Sequence, residues 1–205
     1  MQDVVAEFKN DPASVQTSDR AGSGAFSDVD ITPCGRYAIK HSGWAFSDGW
    51  LLYAVKLLSM PKDQRPEWAP VIHSIRINIK TGTFTALMDA YSTTNYPIEL
   101  YGELEEQLDQ ITHEEVGSLA EYTYEEEIIV RELCELLEDI EKSCDIRLIL
   151  DMGSTNTMED DEGQQIVTDP ICFTQWRAAK KDNRYKYPVI RFLETHTSDD
   201  VVLHY

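Results

Sequence analysis

Residues 148–173 read Leu148-Ile-Leu-Asp151-Met-Gly-Ser-Thr-Asn156, then an acidic turn, then Ile166-Val-Thr-Asp169-Pro-Ile-Cys-Phe173. An apolar run delivers Asp151, an asparagine follows five residues later, and a second apolar run delivers Asp169 thirteen residues after that. An Asp/Asn/Asp set at strand ends suits phosphoryl transfer. One carboxylate orients and accepts a hydroxyl proton, while an amide and a second carboxylate hold Mg²⁺ on a nucleotide. The run Glu159-Asp-Asp-Glu-Gly163 between the two segments lacks the alternating ligand spacing of a calcium loop and reads as a hairpin turn.

The N-terminal half supplies what such a site needs. Gly22-Ser-Gly24-Ala-Phe26-Ser27 fits a tight hairpin tip whose amides can face phosphate oxygens. Val29–Ile31 and Arg36–Lys40 flank the turn Thr32-Pro-Cys-Gly35, giving strand, turn, strand. Period-two alternation sets Ala38 and Lys40 on one face of the second strand, the side over which the glycine tip folds. Apolar residues at 50, 51, 54, 57 and 58 predict a helix capped by Ser47 or Asp48. Ile75-Arg-Ile77-Asn-Ile79, Lys80–Thr83 and Phe84–Met88 form the clearest hairpin in the chain. Residues 1–20 read as a short helix or arm, and the polar stretch from Asp89 to Pro97 as a boundary.

Residues 98–145 read as acidic and helical. A capping box at Thr123–Glu126 starts a helix with Ile128, Ile129, Leu133, Leu136, Leu137 and Ile140 on one face and a solvated acidic face opposite. The basic stretch Arg177–Lys186 is a candidate contact for substrate or regulation. The expectation is thus α+β: an N-terminal lobe over 1–90 with a five-stranded antiparallel sheet and one helix, and a reduced, mainly helical lobe over 91–205.

The 205 residues carry 37 acids against 18 bases, a net charge of −19. That field argues against direct binding to nucleic acid or an anionic membrane and is compatible with basic protein partners. An ATP site here needs local lysine, glycine backbone and Mg²⁺ to overcome it. The four cysteines form no C-x-x-C pair and read as buried free thiols of a reducing cytosol. No stretch matches a signal peptide or a membrane span.

Glycine loop, Ala38-Ile39-Lys40 strand and Asp–Asn…Asp segment together resemble the protein-kinase signature set in order and spacing. More closely, Gly22-Ser-Gly24-Ala-Phe26-Ser27, Ile39-Lys40, Asp151-Met-Gly-Ser-Thr-Asn156 and Val167-Thr-Asp169-Pro170 resemble the early serine/threonine protein kinases of T-seven-like podophages, over residues 20–173. The resemblance implies a two-lobed kinase-like fold and transfer of the γ-phosphate of Mg·ATP to Ser/Thr hydroxyls. It implies that Asp151 orients and deprotonates the acceptor and that Asn156 and Asp169 hold Mg²⁺. Lys40 would pair with the α/β-phosphates, while Gly22, Gly24, Phe26, Ser27 and Ala38 enclose the nucleotide. Implied partners are host bacterial proteins (RNA polymerase, ribonucleases or defence proteins) and the chain itself, in the host cytoplasm.

The sequence departs from the kinase pattern at several points. Ser27 stands at the third glycine, Ile149-Leu150 precede Asp151 in place of His-Arg, and Pro170-Ile171 replace Phe-Gly. The helix over 50–58 offers Lys40 no glutamate; Asp48 is the nearest acid. These departures and the −19 charge frame an alternative: a kinase-fold acidic binding protein that inhibits a host nucleic-acid enzyme. A small-molecule phosphotransferase on the same fold is a third reading.

Overall fold

The computed structural model describes residues 3–24, 26–104, 107, 122–173 and 186–205. Its architecture is mixed α+β. Strands β1 (Asp19–Ser23), β2 (Ser27–Ile31), β3 (Tyr37–Ser42), β4 (Ile72–Asn78), β5 (Thr83–Asp89) and β12 (Val201–His204) form one sheet in the order β1-β2-β3-β5-β4-β12. The first five strands pair antiparallel, as alternation and turn chemistry predict. The sixth is a correction to the five-stranded expectation: the C-terminal β12 lies parallel to β4, with Val201 opposite Ile75 and His204 opposite Asn78.

Alternation divides the work of β3. Ile39 packs with Leu87 and Phe8 under helix α1 (Val4–Asn10) on one face. Ala38 and Lys40 point to the other, cross-strand from Ile31 and Val29 on β2 and from Met88 and Ala86 on β5. Helix α2 (Gly49–Ser59) covers that second face and is buried nearly all round, from Trp50 to Val55 and again at Leu57 and Leu58. Its first turn starts at Asp48, whose Oδ1 accepts from the Trp50 amide at 3.1 Å. Gly49 lets this end approach the chain closely. A Cβ there would stand 2.8 Å from the carbonyl oxygen of Ile171.

In the second half the described residues include helices α3 (Tyr124–Cys144) and α4 (Lys186–Thr195) and helical Leu104 and Gln107 beside short strands, so the described part is not mainly helical. Strands β7 (Leu100–Glu103), β8 (Leu148–Met152) and β11 (Ile171–Phe173) form one three-stranded sheet. Strands β6 (Ser92–Thr93), β9 (Thr157–Glu159) and β10 (Gln165–Val167) form another. Leu100–Glu103 is therefore a strand where a helix was expected, because pairing with β8 outweighs its weak local preference.

Helix α3 begins with the expected capping box at Thr123 and Glu126. Its buried face is Val130, Leu133, Cys134, Leu136, Leu137, Ile140 and Cys144, while Ile128 and Ile129 are only half-buried. Glu127 departs from the solvated acidic face: it is fully buried and takes Arg131 at 2.8 Å one turn on. Of the cysteines, all free, Cys134 and Cys144 are buried, Cys172 is half-buried and Cys34 is exposed. No helix among the described residues is long and apolar enough to cross a membrane. The basic stretch Arg177–Lys186 lies outside the described residues except for Lys186.

Candidate active site

Sheet and second half meet in a cleft of about 410 Å³. One wall is the β1–β2 hairpin and the Val29, Ile31, Ala38, Lys40 and Met88 face of the sheet; the opposite wall is Thr155, Asn156, Met158, Thr168 and Asp169. Seven of the residues singled out from sequence (Gly22, Gly24, Ser27, Ala38, Lys40, Asn156 and Asp169) line this one space. Two do not. Phe26 lines a separate depression with His41, Trp44 and Phe84, its carbonyl held by the Ser42 hydroxyl at 2.8 Å. Asp151 is exposed at the end of β8, outside the cleft lining. Volume alone does not single the cleft out, since depressions of about 450 and 470 Å³ lie elsewhere on the surface. Its chemistry does: apolar side chains at one end, lysine, asparagine and aspartate at the other.

At the polar end the Lys40 ammonium meets Asp169 Oδ2 at 2.6 Å. The Lys40 side chain is 5% exposed and that of Asp169 34%. The same ammonium lies 4.5 Å from the centroid of the Trp50 ring, a cation–π contact. Trp50 Nε1 in turn donates to the carbonyl of Thr168 at 2.9 Å, and the Tyr53 hydroxyl donates to that of Val167 at 2.8 Å. Helix α2 thereby grips the strand end that delivers Asp169. Burial, with the nearby charge of Asp169, pushes the Tyr53 hydroxyl well above its usual range, so it stays a proton donor.

The Asn156 side chain is tied to the Asp151 backbone. The Asn156 side-chain amide donates to the carbonyl of Asp151. The Asn156 carbonyl accepts from Thr168 N at 2.8 Å and from the Thr168 hydroxyl at 3.0 Å. Asp151 N donates to Pro170 O at 2.8 Å. These bonds bind the Asp151 and Asp169 segments into one unit. The Cys172 thiol is pushed up to about 11, first by burial and then by the charges of Asp151 and Asp169, so both carboxylates lie within electrostatic reach of it.

The donor set fits Mg²⁺ in kind. The Asn156 nitrogen donates to the Asp151 carbonyl while its Oδ1 accepts from the Thr155 hydroxyl at 3.3 Å, a long bond that leaves this oxygen open to a second partner, and Asp169 has its second oxygen uncommitted among the described residues. Hard oxygen ligands of this number are what Mg²⁺ takes from protein when phosphates and water complete the shell. Among the described residues no group of three or more His, Cys, Asp or Glu side chains converges as a metal cluster.

Sequence reasoning missed Val29, Met88, Met158, Trp50 and Thr168. Register would have indicated Val29 and Met88, because both lie cross-strand from residues already singled out. Nothing local signals that Met158 faces them or that Trp50 reaches Thr168. No protein-family model matches the chain, and no curated protein sequence matches it significantly.

Proposed function

We propose that this chain is a Mg·ATP-dependent protein serine/threonine kinase of two-lobed, kinase-like build. The observation that carries the reading is the convergence of Gly22, Gly24, Ser27, Ala38, Lys40, Asn156 and Asp169 on one cleft. Apolar Val29, Ala38 and Met88 on one wall and Met158 on the other suit a flat base. The hairpin amides and Lys40 suit the phosphates, and Asn156 and Asp169 would hold the metal. Bound Mg²⁺ would neutralise charge on the β- and γ-phosphates during transfer.

In the reaction a Ser or Thr oxygen forms a bond to the γ-phosphorus as the bond to the β,γ-bridging oxygen breaks, and ADP leaves. The hydroxyl proton passes to Asp151, whose exposed carboxylate is reachable by a side chain on another protein. Lys40 leaves Asp169 to meet phosphate oxygens. Host bacterial proteins and the chain itself as acceptors, and a role in host takeover or counter-defence, follow from the podophage resemblance.

The test is transfer of labelled γ-phosphate from Mg·ATP to the chain and to a bacterial lysate, beside Asp151→Ala and Asp169→Ala. Label that both variants lose supports the kinase. No label with the fold intact overturns it and favours the acidic binding protein, for which the −19 charge speaks. That second reading predicts that Asp151→Ala leaves the biological effect unchanged.

A further inference from the structure

The sheet of β7, β8 and β11 turns one face inward. Leu148, Leu150 and Met152 on β8, Leu100 on β7 and Ile171 on β11 are buried there. A period of two sends the residues between them to the other side. Register sets Tyr101 opposite Asp151, Glu103 opposite Ile149, and Ile149 opposite Cys172. Cross-strand partners share a face with their side chains in reach of one another. Tyr101, Glu103, Ile149, Asp151 and Cys172 thus make up one outer surface. Two of the five are acids and none is basic. The charge of Asp151 is felt across this surface, since it helps burial to raise the Cys172 thiol.

Tyr101 is 55% exposed. Its ring is seated against the loop after Asp151 at a residue without a side chain, for a Cβ on Gly153 would lie 2.3 Å from the Tyr101 hydroxyl oxygen. An open aromatic ring beside carboxylates attracts a guanidinium or an ammonium. Glu103 follows on the same strand and the same face. Its side chain is 44% exposed and meets an arginine of this chain, Arg147, at 3.6 Å. An exposed pair of that length is weak, and a carboxylate accepts more than one donor. A guanidinium brought by a partner can therefore lie on the Tyr101 ring and reach Glu103, as its planar fork favours.

We infer that the outer face of the β7–β8–β11 sheet docks a basic peptide, with Tyr101 and Glu103 reading an arginine side chain. That the docked segment carries the acceptor hydroxyl rests on the function proposed above. On that reading the substrate class is Ser or Thr with a basic residue one or two positions away. Cross-strand neighbours lie roughly 5 Å apart, and an extended peptide advances about 3.3 Å per residue. Tyr101 and Glu103 determine specificity and take no part in the proton transfer.

The test compares a fluorescein-labelled peptide holding one serine with an arginine on either side of it against the same peptide with glutamine in both places. Binding is read by polarisation without nucleotide, and transfer of labelled γ-phosphate from Mg·ATP is read in parallel. Wild type binds the arginine peptide more tightly, and Tyr101→Ala cuts that preference by about 2–5-fold. Tyr101→Phe keeps the ring and keeps the preference, while Glu103→Gln lowers it. Glu135→Gln, which removes an exposed acid on α3, leaves it unchanged. Each variant is scored by the ratio of two peptides, so a loss of folded protein cancels. A preference that survives Tyr101→Ala, or that falls as much in Glu135→Gln, belongs to the −19 charge of the whole chain and overturns the inference. Label on both peptides without an arginine preference sinks the inference and leaves the kinase reading standing. A binding preference lost in Tyr101→Ala, with no label on either peptide, supports the docking face and sinks the kinase reading.

Discussion

Lys40 and Asp151 mark two ends of the candidate machinery, built in different ways. The Lys40 side chain is buried, ion-paired and set 4.5 Å from the Trp50 ring centroid. The Asp151 side chain is exposed, and its segment is held through backbone atoms, by Asn156 and Pro170. A site that grips a small anion benefits from groups fixed in a dry cleft, where electrostatic interactions are strong. A site that must admit a side chain from another protein has to stay open. On the proposed function, the contrast would separate a preorganised nucleotide end from an accessible acceptor end.

The largest expected effect falls at the buried end. Asp169→Ala removes the direct partner of Lys40 and, on the proposed function, an oxygen for the metal. Phosphotransfer should fall by about 10³-fold or more, and stabilisation by Mg·ATP should vanish in the same variant. Retained nucleotide stabilisation would break the assignment of Asp169 to that end.

Asp151→Asn comes next and sharpens the division. Loss of a general base costs roughly 10²–10⁴-fold in transfer. Because Asp151 lies outside the cleft lining, Mg·ATP should stabilise the variant as it does wild type. A variant that loses nucleotide binding as well would show the two ends to be one.

The buried end also carries a pH signature. Asp48 sits at about 6 in the folded protein against an ordinary value of 3.8. Between about pH 4 and 6 the native state therefore holds more protons than the unfolded chain, and stability falls as pH rises through that window. The drop is of order 2 kcal/mol, for a shift of about two units. Asp48→Asn should flatten it in urea melts at pH 4, 5, 6 and 7. An unchanged slope would remove Asp48 from the electrostatics of the cleft.

Gly49 tests how α2 reaches the opposite wall. Alanine would normally favour a helix by up to about 1 kcal/mol over glycine. Here its Cβ meets backbone on three atoms, Ile171 O at 2.8 Å, Ile171 C at 3.2 Å and Cys172 Cα at 3.3 Å. Backbone cannot swing aside, so the overpacking cost of about 1–3 kcal/mol wins. Chemical denaturation should show Gly49→Ala less stable by about 1 kcal/mol, and an increase in stability would show that α2 does not press on β11.

How far the sequence reveals these two ends follows from where their information lies. The hairpin of β4 and β5, helix α2 and the Thr123 capping box are written in local alternation, periodicity and cap chemistry. The placement of Ala38 and Lys40 on one face needs only a period of two. The Asp151, Asn156 and Asp169 spacing is visible because all three fall within one short stretch of sequence, from β8 to just past the β9–β10 hairpin. Non-local facts are not legible. Parallel pairing of β12 with β4 joins segments far apart in the chain, and nothing in Val201-Val-Leu-His204 names its partner. Glu127 reads as one more acid on an acidic helix until Arg131 and burial are seen. Asp48 reads as an N-cap and as the acid nearest Lys40, but its near-complete burial is seen only in the fold.

The smallest expected effect concerns Gly153, at the accessible end, where the loop after Asp151 lacks a side chain. A Cβ on Gly153 would lie 2.3 Å from the Tyr101 hydroxyl oxygen and 3.4 Å from its Cζ. Tyr101 stands cross-strand from Asp151 and is 55% exposed, so its ring can swing outward, unlike the backbone that faces Gly49. Gly153 itself is buried, but the atom a Cβ would strike belongs to an exposed ring that can give way, so Gly153→Ala should cost no more than about 0.5 kcal/mol. Tyr101→Phe removes the oxygen that a Cβ would strike, and in that background the cost should disappear. Acceptor KM is the sharper readout, because the displaced ring borders Asp151: it should change in Gly153→Ala while the KM for ATP stays put. A change confined to the KM for ATP would place Gly153 with the buried end and erase the distinction between the two.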